Sequence, residues 1–494
     1  MSEQNGYPSN VTSAPLTFDD TFHNVIDGQL SGTKVTRHTE NPSTLETNPE
    51  VPVSTQQDVD RAVAAAQKAA EAWADVPWDE RRKAIEAFAD ALEAHAVEYA
   101  RVMVKEMGLP LPAAEYDVHW GAEWIRDICK LTLPDKVIEK TPGKQVVERY
   151  TPIGVGVGII PWNGPVILAC GKIAPALLTG NALILKPSPF APYSILKMAE
   201  MGRQFFPPGV LQALSGDDDL GPWLTAHPGI GKVSFTGSCA TGKKVMEACS
   251  KHMKRVSMEL GGNDPAIVCE DVDPVTVASK IATVALLRSG QLCMAIKRVY
   301  VHEAVFDAVL EAMRRHVVER AKVGDGFDET TVVGPIANRP QYERVRELLR
   351  DIAETKLDVF PAEGDKLVEE EEGLKGFFIR PILVNNPPDD ARVVVEEPFG
   401  PIVPILKWSD EADVIKRANN TDYGLGASVW SKDVERASRI ARKLQAGNVW
   451  INTHAELQGS TSFACHKHSG LGSELGEDGI KGWCNVQAVW TRPF

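Results

Sequence analysis

The chain lacks the cysteine patterns of zinc sites and disulfide frameworks. Its eight cysteines are scattered over 494 residues, and none belongs to a CxxC pair or to a zinc-finger spacing. In a chain of this length such thiols are typical of a reducing compartment. We therefore expect a cytosolic protein without a metal site.

Two further absences limit the function. No apolar run approaches the length that crosses a bilayer, and the polar N-terminus lacks the basic-then-apolar layout of a secretory signal. Basic side chains are fewer than acidic ones, with 53 Lys and Arg against 67 Asp and Glu, and the net charge is −14. Because a nucleic-acid binder needs a basic face, we expect neither a nucleic-acid nor a membrane partner.

The length predicts about three domain-sized units. Residues 1–15 are rich in Ser, Asn and Pro, which indicates a mobile tail. Ser54-Thr55-Gln56-Gln57 has the pattern of a capping box and opens a predicted helix that reaches about Trp73. A second, interrupted helix is predicted over 78–107.

From residue 151 short apolar segments alternate with helical ones. The predicted strands are 154–160, 182–185, 210–214, 232–235, 256–259 and 266–269, and the predicted helices are 165–178, 192–205, 240–252, 275–288 and 303–322. This alternation predicts parallel βαβ units, and hence an α/β protein with doubly wound sheets. Residues 369–372 read as a solvated acidic loop, and 483–490 as an exposed strand that needs a neighbouring sheet edge.

Two glycine patterns resemble nucleotide-binding motifs without matching them. Gly154, Gly156 and Gly158 lie inside a strand, and Ile159 replaces the last glycine of a G-x-G-x-x-G fingerprint, so we expect them to allow close packing. Gly237 begins a near-match to a P-loop in which Lys244 stands where a hydroxyl must hold magnesium. That excludes a nucleoside triphosphatase of this type. A strand, a glycine turn and a helix start still offer free N–H groups to a pyrophosphate, although a merely tight turn explains them equally well.

Cys293 and Glu259 are the candidates for catalytic chemistry. Each lies beside flexible glycines, in Ser289-Gly290-Gln291-Leu292-Cys293 and Met258-Glu259-Leu260-Gly261-Gly262. A thiol and a carboxylate are the groups needed for covalent attack on a carbonyl followed by hydrolysis. Most cysteines are small buried apolar groups, so the thiol alone does not establish catalysis.

Six short motifs, which include those of Cys293 and Glu259, follow one another in a recognisable order. They are Pro161-Trp162-Asn163-Gly164-Pro165, Leu185-Lys186-Pro187-Ser188, Ser234-Phe235-Thr236-Gly237-Ser238, Met258-Glu259-Leu260-Gly261-Gly262, Gly290-Gln291-Leu292-Cys293 and Glu396-Glu397-Pro398-Phe399-Gly400-Pro401. The series resembles the aldehyde dehydrogenase superfamily over about residues 20–490. The resemblance implies two Rossmann-like α/β domains plus a small oligomerising β-extension. It implies an NAD(P)-binding domain over 16–130 and 153–261, a catalytic domain over 262–465, an extension over 131–152 and 482–494, and a homodimer or homotetramer.

The resemblance also implies roles by position. Cys293 matches the nucleophile, Glu259 the base that activates water to hydrolyse the thioester, and Asn163 the amide donor to the oxyanion. The implied cofactor residues are Pro161, Trp162, Lys186, Ser188, Pro189, Gly237, Ser238, Glu397 and Phe399. The implied substrate pocket contains Gly164, Leu168, Leu292, Met294, Leu457 and Phe463.

Three departures from the family pattern predict specific properties. Pro189 replaces a ribose-binding carboxylate, so we expect NAD to be the cofactor and NADP to be tolerated. Gly164 replaces a bulky aromatic, which predicts a wider pocket and a bulky or aromatic aldehyde. Ala464 and Cys465 replace two glycines, and pairing of Cys465 with Cys293 under oxidation competes with the simpler interpretation of a packed thiol.

Two other functions stay open at this stage. A CoA-acylating relative would pass the thioester to another acceptor, but it has no need of a base at Glu259. A non-catalytic scaffold would have no need of thiol, base, amide and cofactor residues together.

Overall fold

The computed structural model describes residues 16–361, 367 and 373–493. The expected N-terminal tail and the acidic loop at 369–372 lie outside these residues, as does Phe494 at the end of the expected extension. Within the described residues no helix combines the length and the apolar character that crossing a bilayer requires.

The elements follow one another in three stretches. The first holds β1 (Asn24–Ile26), β2 (Gln29–Ser31), β3 (Thr36–Arg37), β4 (Val51–Pro52), α1 (Gln56–Ala74), α2 (Trp78–Ala94), α3 (Ala96–Met107) and α4 (Leu111–Cys129). The second holds β5 (Lys136–Thr141), β6 (Lys144–Pro152), β7 (Val155–Ile159), α5 (Pro165–Leu178), β8 (Ala182–Lys186), α6 (Tyr193–Gly202), β9 (Leu211–Ala213), α7 (Leu220–Ala226), β10 (Lys232–Thr236), α8 (Cys239–Ser250) and β11 (Arg255–Glu259).

The third stretch completes the chain. It holds β12 (Asp264–Val268), α9 (Pro274–Leu286), a 3-10 helix (Leu287–Gly290), β13 (Ile296–His302), α10 (Phe306–Arg320), α11 (Arg339–Glu354), β14 (Val359–Phe360), β15 (Ile382–Asn385), α12 (Arg392–Val395), β16 (Ile402–Trp408), α13 (Glu411–Asn419), β17 (Tyr423–Gly424), β18 (Gly426–Trp430), α14 (Val434–Ala441), β19 (Asn448–Ile451), β20 (Phe463–Ala464), β21 (His466–Lys467), β22 (Gly470–Leu471), β23 (Ser473–Glu474), α15 (Gly476–Lys481) and β24 (Cys484–Thr491).

Two large sheets organise the molecule and confirm the predicted α/β class. The first has the strand order β2-β1-β9-β8-β7-β10-β11-β22, and its five central strands from β9 to β11 are parallel. The second has the order β14-β15-β16-β13-β12-β18-β19, in which every pairing except β14 with β15 is parallel. Parallel strands joined by helices place all their carboxyl ends on one edge of the sheet, where ligands bind in such folds.

A third sheet satisfies the expectation for residues 483–490. β24 pairs with β6 in antiparallel register from Cys484 opposite Pro152 to Thr491 opposite Gln145, and β5 completes the sheet. The C-terminal strand therefore finds its neighbouring edge within the same chain. Val486 and Trp490 remain exposed on it.

The capping box of α1 lies one residue later than its predicted position. Thr55 Oγ1 accepts from the Asp58 N–H, and Asp58 Oδ2 accepts from the Thr55 N–H at 2.9 Å. Ser54 instead donates to the Ser215 carbonyl at 2.6 Å. The prediction was wrong because Thr55–Asp58 and Ser54–Gln57 have the same spacing and only the former brings a carboxylate to the first turn.

Two of the three glycines, Gly156 and Gly158, lie in β7 and allow close packing, as predicted, whereas the prediction was wrong for Gly154, which precedes β7 and has no atom within 4 Å of its Cβ position. A Cβ on Gly156 would lie 2.4 Å from the Trp483 ring, and one on Gly158 would lie 3.3 Å from the Lys172 side chain on α5. These glycines therefore bring the strand against its neighbours rather than against a cofactor.

Candidate active site

The nucleophile candidate Cys293 follows a sharply bent segment. After α9, Arg288 and Ser289 have φ values of 52° and 59°, and Gly290 has a φ of 73°. A Cβ on Gly290 would lie 2.2 Å from the Gly400 carbonyl oxygen, so only glycine fits there. Non-glycine residues in this backbone region cost free energy, and they persist where the surroundings fix them.

Side-chain hydrogen bonds fix this segment from two directions. Ser289 Oγ donates to the Gly334 carbonyl at 2.8 Å, and Gln291 Oε1 accepts from the Ala337 N–H at 2.9 Å. Both side chains are buried. The half-buried Cys293 thus follows a segment that buried hydrogen bonds hold in place.

Asn163 lies against the same segment. It follows β7, precedes the first turn of α5 and is 5% exposed. Its amide Nδ2 donates to the Gln291 carbonyl at 3.0 Å. The amide therefore lies against the segment that leads to Cys293, and both residues line the same cavity, which fits the expected role of an oxyanion donor.

Glu259 ends β11 and is 2% exposed. Its Oε1 is buried without a hydrogen-bond partner. Burial raises the pKa of this carboxyl to about 7, with a further increase from the nearby Glu474, whereas the Cys293 thiol and Lys172 oppose the shift. A carboxyl with that pKa exchanges protons near neutral pH, as a general base must.

Burial also raises the pKa of the Cys293 thiol well above its usual range, and Glu259 and Glu397 add to this effect. Lys297 acts in the opposite direction. Since the thiolate is the reactive form, Cys293 needs help from a base or a cation.

A polar cluster behind Glu259 was missed in the sequence. Lys172, fully buried on α5, donates to Ser234 Oγ at 3.0 Å and Thr236 Oγ1 at 2.9 Å and forms an ion pair with Glu474. Ser234 Oγ also donates to Glu474 at 2.8 Å. The available signal was a single lysine within an otherwise apolar helix. Through Glu474 and Lys172 the cluster acts on the pKa of Glu259 in both directions.

The cofactor candidates occupy one edge of the first sheet. Pro161 and Trp162 follow β7, Ser188 and Pro189 follow Lys186 at the end of β8, and Gly237 and Ser238 follow β10. Ser238 caps α8 by accepting from the Thr241 N–H at 3.3 Å, and a Cβ on Gly237 would lie 2.7 Å from the Phe235 ring. A glycine turn and a helix N-terminus at this edge fit the pyrophosphate of a dinucleotide.

Glu397 and Phe399 approach this edge from the second half of the chain. Glu397 Oε1 accepts from the Gly262 N–H at 3.0 Å, and Phe399 makes an edge-to-face contact with Trp162 at 5.4 Å between ring centroids. Burial lowers the pKa of Lys186 to about 8, and nearby Arg37 lowers it further. The structure thus places Glu397 and Phe399 beside the catalytic candidates, and Lys186 at the edge of the same sheet.

One cavity of about 850 Å³ unites the catalytic and substrate candidates. It is lined by Cys293, Glu259 and Asn163 and by all six substrate candidates, Gly164, Leu168, Leu292, Met294, Leu457 and Phe463. Helix α4, which was not predicted from the sequence, supplies Tyr116, Asp117, Trp120 and Trp124 to the wall. Its start after Pro110 has no side-chain cap, and the signal that could have indicated it is Pro112 in the first turn.

The space beside Gly164 is not empty. A Cβ there would lie 3.0 Å from Arg288 Nη1, and the same guanidinium forms an ion pair with the buried Asp117. The volume left by the missing side chain is therefore partly taken by a cation. The expectation of a wide pocket rests instead on the size of the whole cavity.

Comparisons with known proteins agree on one family. The sequence model of the aldehyde dehydrogenase family matches residues 30–489. A putative aldehyde dehydrogenase of Gibberella moniliformis is 40% identical over 95% of this chain and 99% of its own length, and a phenylacetaldehyde dehydrogenase of Pseudomonas fluorescens is 35% identical over 91% of each.

Solved structures give the same result. A point mutant of an aldehyde dehydrogenase from Bacillus cereus superposes with a TM-score of 0.91 at 32% identity and covers 95% of this chain and 96% of its own. A betaine aldehyde dehydrogenase from Staphylococcus aureus in complex with NAD+ superposes with a TM-score of 0.90 at 30% identity, over 96% of this chain and 95% of its own.

Proposed function

Because the chain belongs to the aldehyde dehydrogenase family and is thus an NAD(P)-dependent oxidoreductase acting on aldehydes, we propose that it oxidises a bulky or aromatic aldehyde to the carboxylic acid. The observation that carries the proposal is the single cavity that brings Cys293, Glu259 and Asn163 together. Each residue then has one task in a covalent mechanism.

The Cys293 thiolate attacks the aldehyde carbon and forms a thiohemiacetal. Asn163 Nδ2 stabilises the developing oxyanion, and loss of one such donor typically costs about 10²- to 10³-fold in rate. A dinucleotide held by the cofactor candidates would supply the hydride acceptor that conversion of the thiohemiacetal to a thioester requires. Glu259 then takes a proton from water, whose oxygen attacks the thioester and releases the acid.

The residues present fit the dinucleotide. The glycine turn at Gly237 and the N–H groups at the start of α8 suit its pyrophosphate. Glu397 suits the hydroxyls of the nicotinamide ribose, and Lys186 those of the adenosine ribose. Phe399 and Trp162 supply the apolar surface near the nicotinamide.

The wall of the cavity supports a bulky or aromatic substrate. Trp120, Trp124 and Phe463 face it, together with Leu168 and Leu292. Rings bury a large area and pack well against other rings. The similarity to a phenylacetaldehyde dehydrogenase points to the same substrate class.

We also propose a homodimer or homotetramer in the cytosol. β24 forms the outer edge of its sheet with exposed Val486 and Trp490, and an edge of this kind is suited to pairing with a second copy. Each of the eight cysteines is a free thiol, which suits a reducing compartment.

The decisive experiment follows NAD(P)H absorbance with an aldehyde panel, with and without CoA, for the wild type and Cys293→Ala. We expect acid as the product, preference for aromatic over small aldehydes, no effect of CoA, and loss of turnover in Cys293→Ala. Acyl-CoA as the product would establish the acylating alternative, and no turnover with any aldehyde would support a scaffold. Preference for acetaldehyde would contradict the proposed substrate.

A further inference from the structure

Lys297 occupies an irregular position in β13. In the parallel ladder with β12, Ile296 pairs with Asp264 and Arg298 pairs with Pro265, so that Lys297 has no partner in β12. Such a bulge redirects a side chain and is common beside active sites. Pro265 favours it, because proline has no N–H to offer the ladder.

The redirected side chain reaches back to the nucleophile. Lys297 Nζ donates to the Leu292 carbonyl at 2.8 Å and to the Cys293 carbonyl at 2.5 Å. Its side chain is 4% exposed. A lysine almost never becomes so buried without partners, and here one partner is the backbone carbonyl of Cys293 and another is that of the residue before it.

The same ammonium also holds Glu397. The distance from Lys297 Nζ to Glu397 Oε1 is 3.3 Å, and this oxygen also accepts from the Gly262 N–H. Lys297 therefore contacts the proposed nucleophile and the proposed ribose-binding carboxylate at once.

The charged groups around Lys297 act on the ionisation of the Cys293 thiol. Glu259 and Glu397 both oppose formation of a thiolate at Cys293, whereas Lys297 favours it. Asp264 adds negative charge near Glu397 and lies 3.6 Å from His454, whose Nε2 is 2.9 Å from the Met294 carbonyl oxygen. A nearby cation with little exposure to solvent acts strongly on such a thiol, because screening is weak there.

We propose that Lys297 is a positioning residue that connects the cofactor carboxylate Glu397 with Cys293 and supplies the positive charge that favours the thiolate. The proposal rests on the function proposed above, since it takes Cys293 as the nucleophile and Glu397 as a cofactor ligand. Lys297 acts through the backbone carbonyls of Leu292 and Cys293 and through the Glu397 carboxylate.

Alkylation of Cys293 measures the thiolate without turnover. The rate of iodoacetamide labelling is followed against pH by mass spectrometry of the Cys293 peptide, for the wild type and for Lys297→Met, Lys297→Arg and Glu397→Gln, each with and without NAD. We expect Lys297→Met to raise the apparent pKa by about one unit and so to slow labelling about tenfold below that pKa. Glu397→Gln should shift the pKa downward, and Lys297→Arg should keep most of the wild-type reactivity.

A purely structural lysine would behave differently. Lys254→Met serves as the matched control, because Lys254 also donates to a backbone carbonyl, that of His227, and precedes the strand whose other end is Glu259. We expect it to leave the labelling profile unchanged. The proposal is overturned if Lys297→Met keeps the wild-type profile, or if Glu397→Gln and Lys297→Met shift it in the same direction.

Failure of this proposal remains distinguishable from failure of the dehydrogenase function. An unchanged profile in Lys297→Met, together with loss of turnover in Cys293→Ala, removes only the role of Lys297. Turnover that survives in Cys293→Ala removes the nucleophile and both proposals with it. Should Lys297→Met not fold, Lys297→Gln, which also removes the charge, takes its place in the same measurement and should slow the labelling relative to Lys297→Arg.

Discussion

Arg288 Nη1 donates to the backbone carbonyl of Asn163 at 2.6 Å. One residue of the nucleophile segment thereby holds the loop that carries the proposed oxyanion donor. The other end of the same guanidinium is bound to Asp117 on α4, which is almost fully buried. Three elements of the cavity wall, distant in sequence, are therefore fixed to one another by a single side chain.

Arg288→Ala should reduce kcat by about 10²-fold, because small displacements of a catalytic group have effects of this size. It should also destabilise the fold by about 3–5 kcal/mol, since Asp117 would be left as a buried unpaired charge. Steady-state kinetics and denaturant unfolding measure the two effects. The double variant Arg288→Met/Asp117→Asn is the control: stability should recover while kcat stays low. Recovery of both would show that Arg288 acts only on stability.

Gly164→Phe should reduce both stability and activity, because the ring and the Arg288 guanidinium compete for one space. The φ of Gly164 is −162°, which any residue adopts, so the conflict is one of volume and should cost about 1–3 kcal/mol. Adding Arg288→Ala should relieve it, and a double-mutant cycle measures the coupling. Additive effects of the two substitutions would contradict the shared-space interpretation.

A strongly apolar segment could be predicted from the sequence with its bounds, whereas a helix cap could not be placed to the residue. The apolar segment at 165–178 is observed as α5 with those bounds, because a helix apolar on all faces has little alternative to burial. The capping box of α1 was misplaced by one residue because two overlapping patterns compete. α4 was missed although Pro112 in its first turn is a usual signal of a helix start.

The catalytic candidates could be identified because they belong to short sequence motifs, whereas the residues that contact and position them belong to no motif. Cys293, Glu259 and Asn163 stand in short recognisable segments and line one cavity in the structure. Asp117, Lys172 and Glu474 act through contacts between residues far apart in sequence, such as the 302 positions that separate Lys172 from Glu474. The position of Lys297 depends on a bulge that needs the register of two strands.

Asp218→Asn should move the cofactor preference toward NADP. Asp218 and Arg37 both act electrostatically on Lys186. The proposed binding site for the adenosine ribose therefore contains two cations and one acidic residue. Because Asp218 is exposed, its removal should change the ratio of kcat/KM for NADP to that for NAD by about fivefold or less. Asp219→Asn is the neighbouring control and should leave the ratio unchanged. Strict rejection of NADP by the wild type would contradict the tolerance expected from Pro189.

The pH dependence of hydrolysis should report the polar cluster behind Glu259. The pKa of Glu259 is about 7, and Glu259 acts as a base only when it is deprotonated. The rate of acid release should therefore fall as the pH drops through 7, and at one pH unit below 7 it should be about one tenth of its plateau value. Lys172 lowers this pKa and Glu474 raises it. Lys172→Met should therefore shift the acid limb to higher pH, and Glu474→Gln should shift it to lower pH.

Single-turnover release of acid from the thioester, measured across pH, checks these opposite shifts. Lys197→Met is the control, because Lys197 is equally buried and pairs with Glu200 rather than with the cluster. It should leave the limb unchanged. If Lys172→Met and Glu474→Gln moved the acid limb in the same direction, loss of stability rather than loss of charge would explain both shifts. The assignment of the acid limb to Glu259 would then depend on whether Glu259→Gln abolishes that limb.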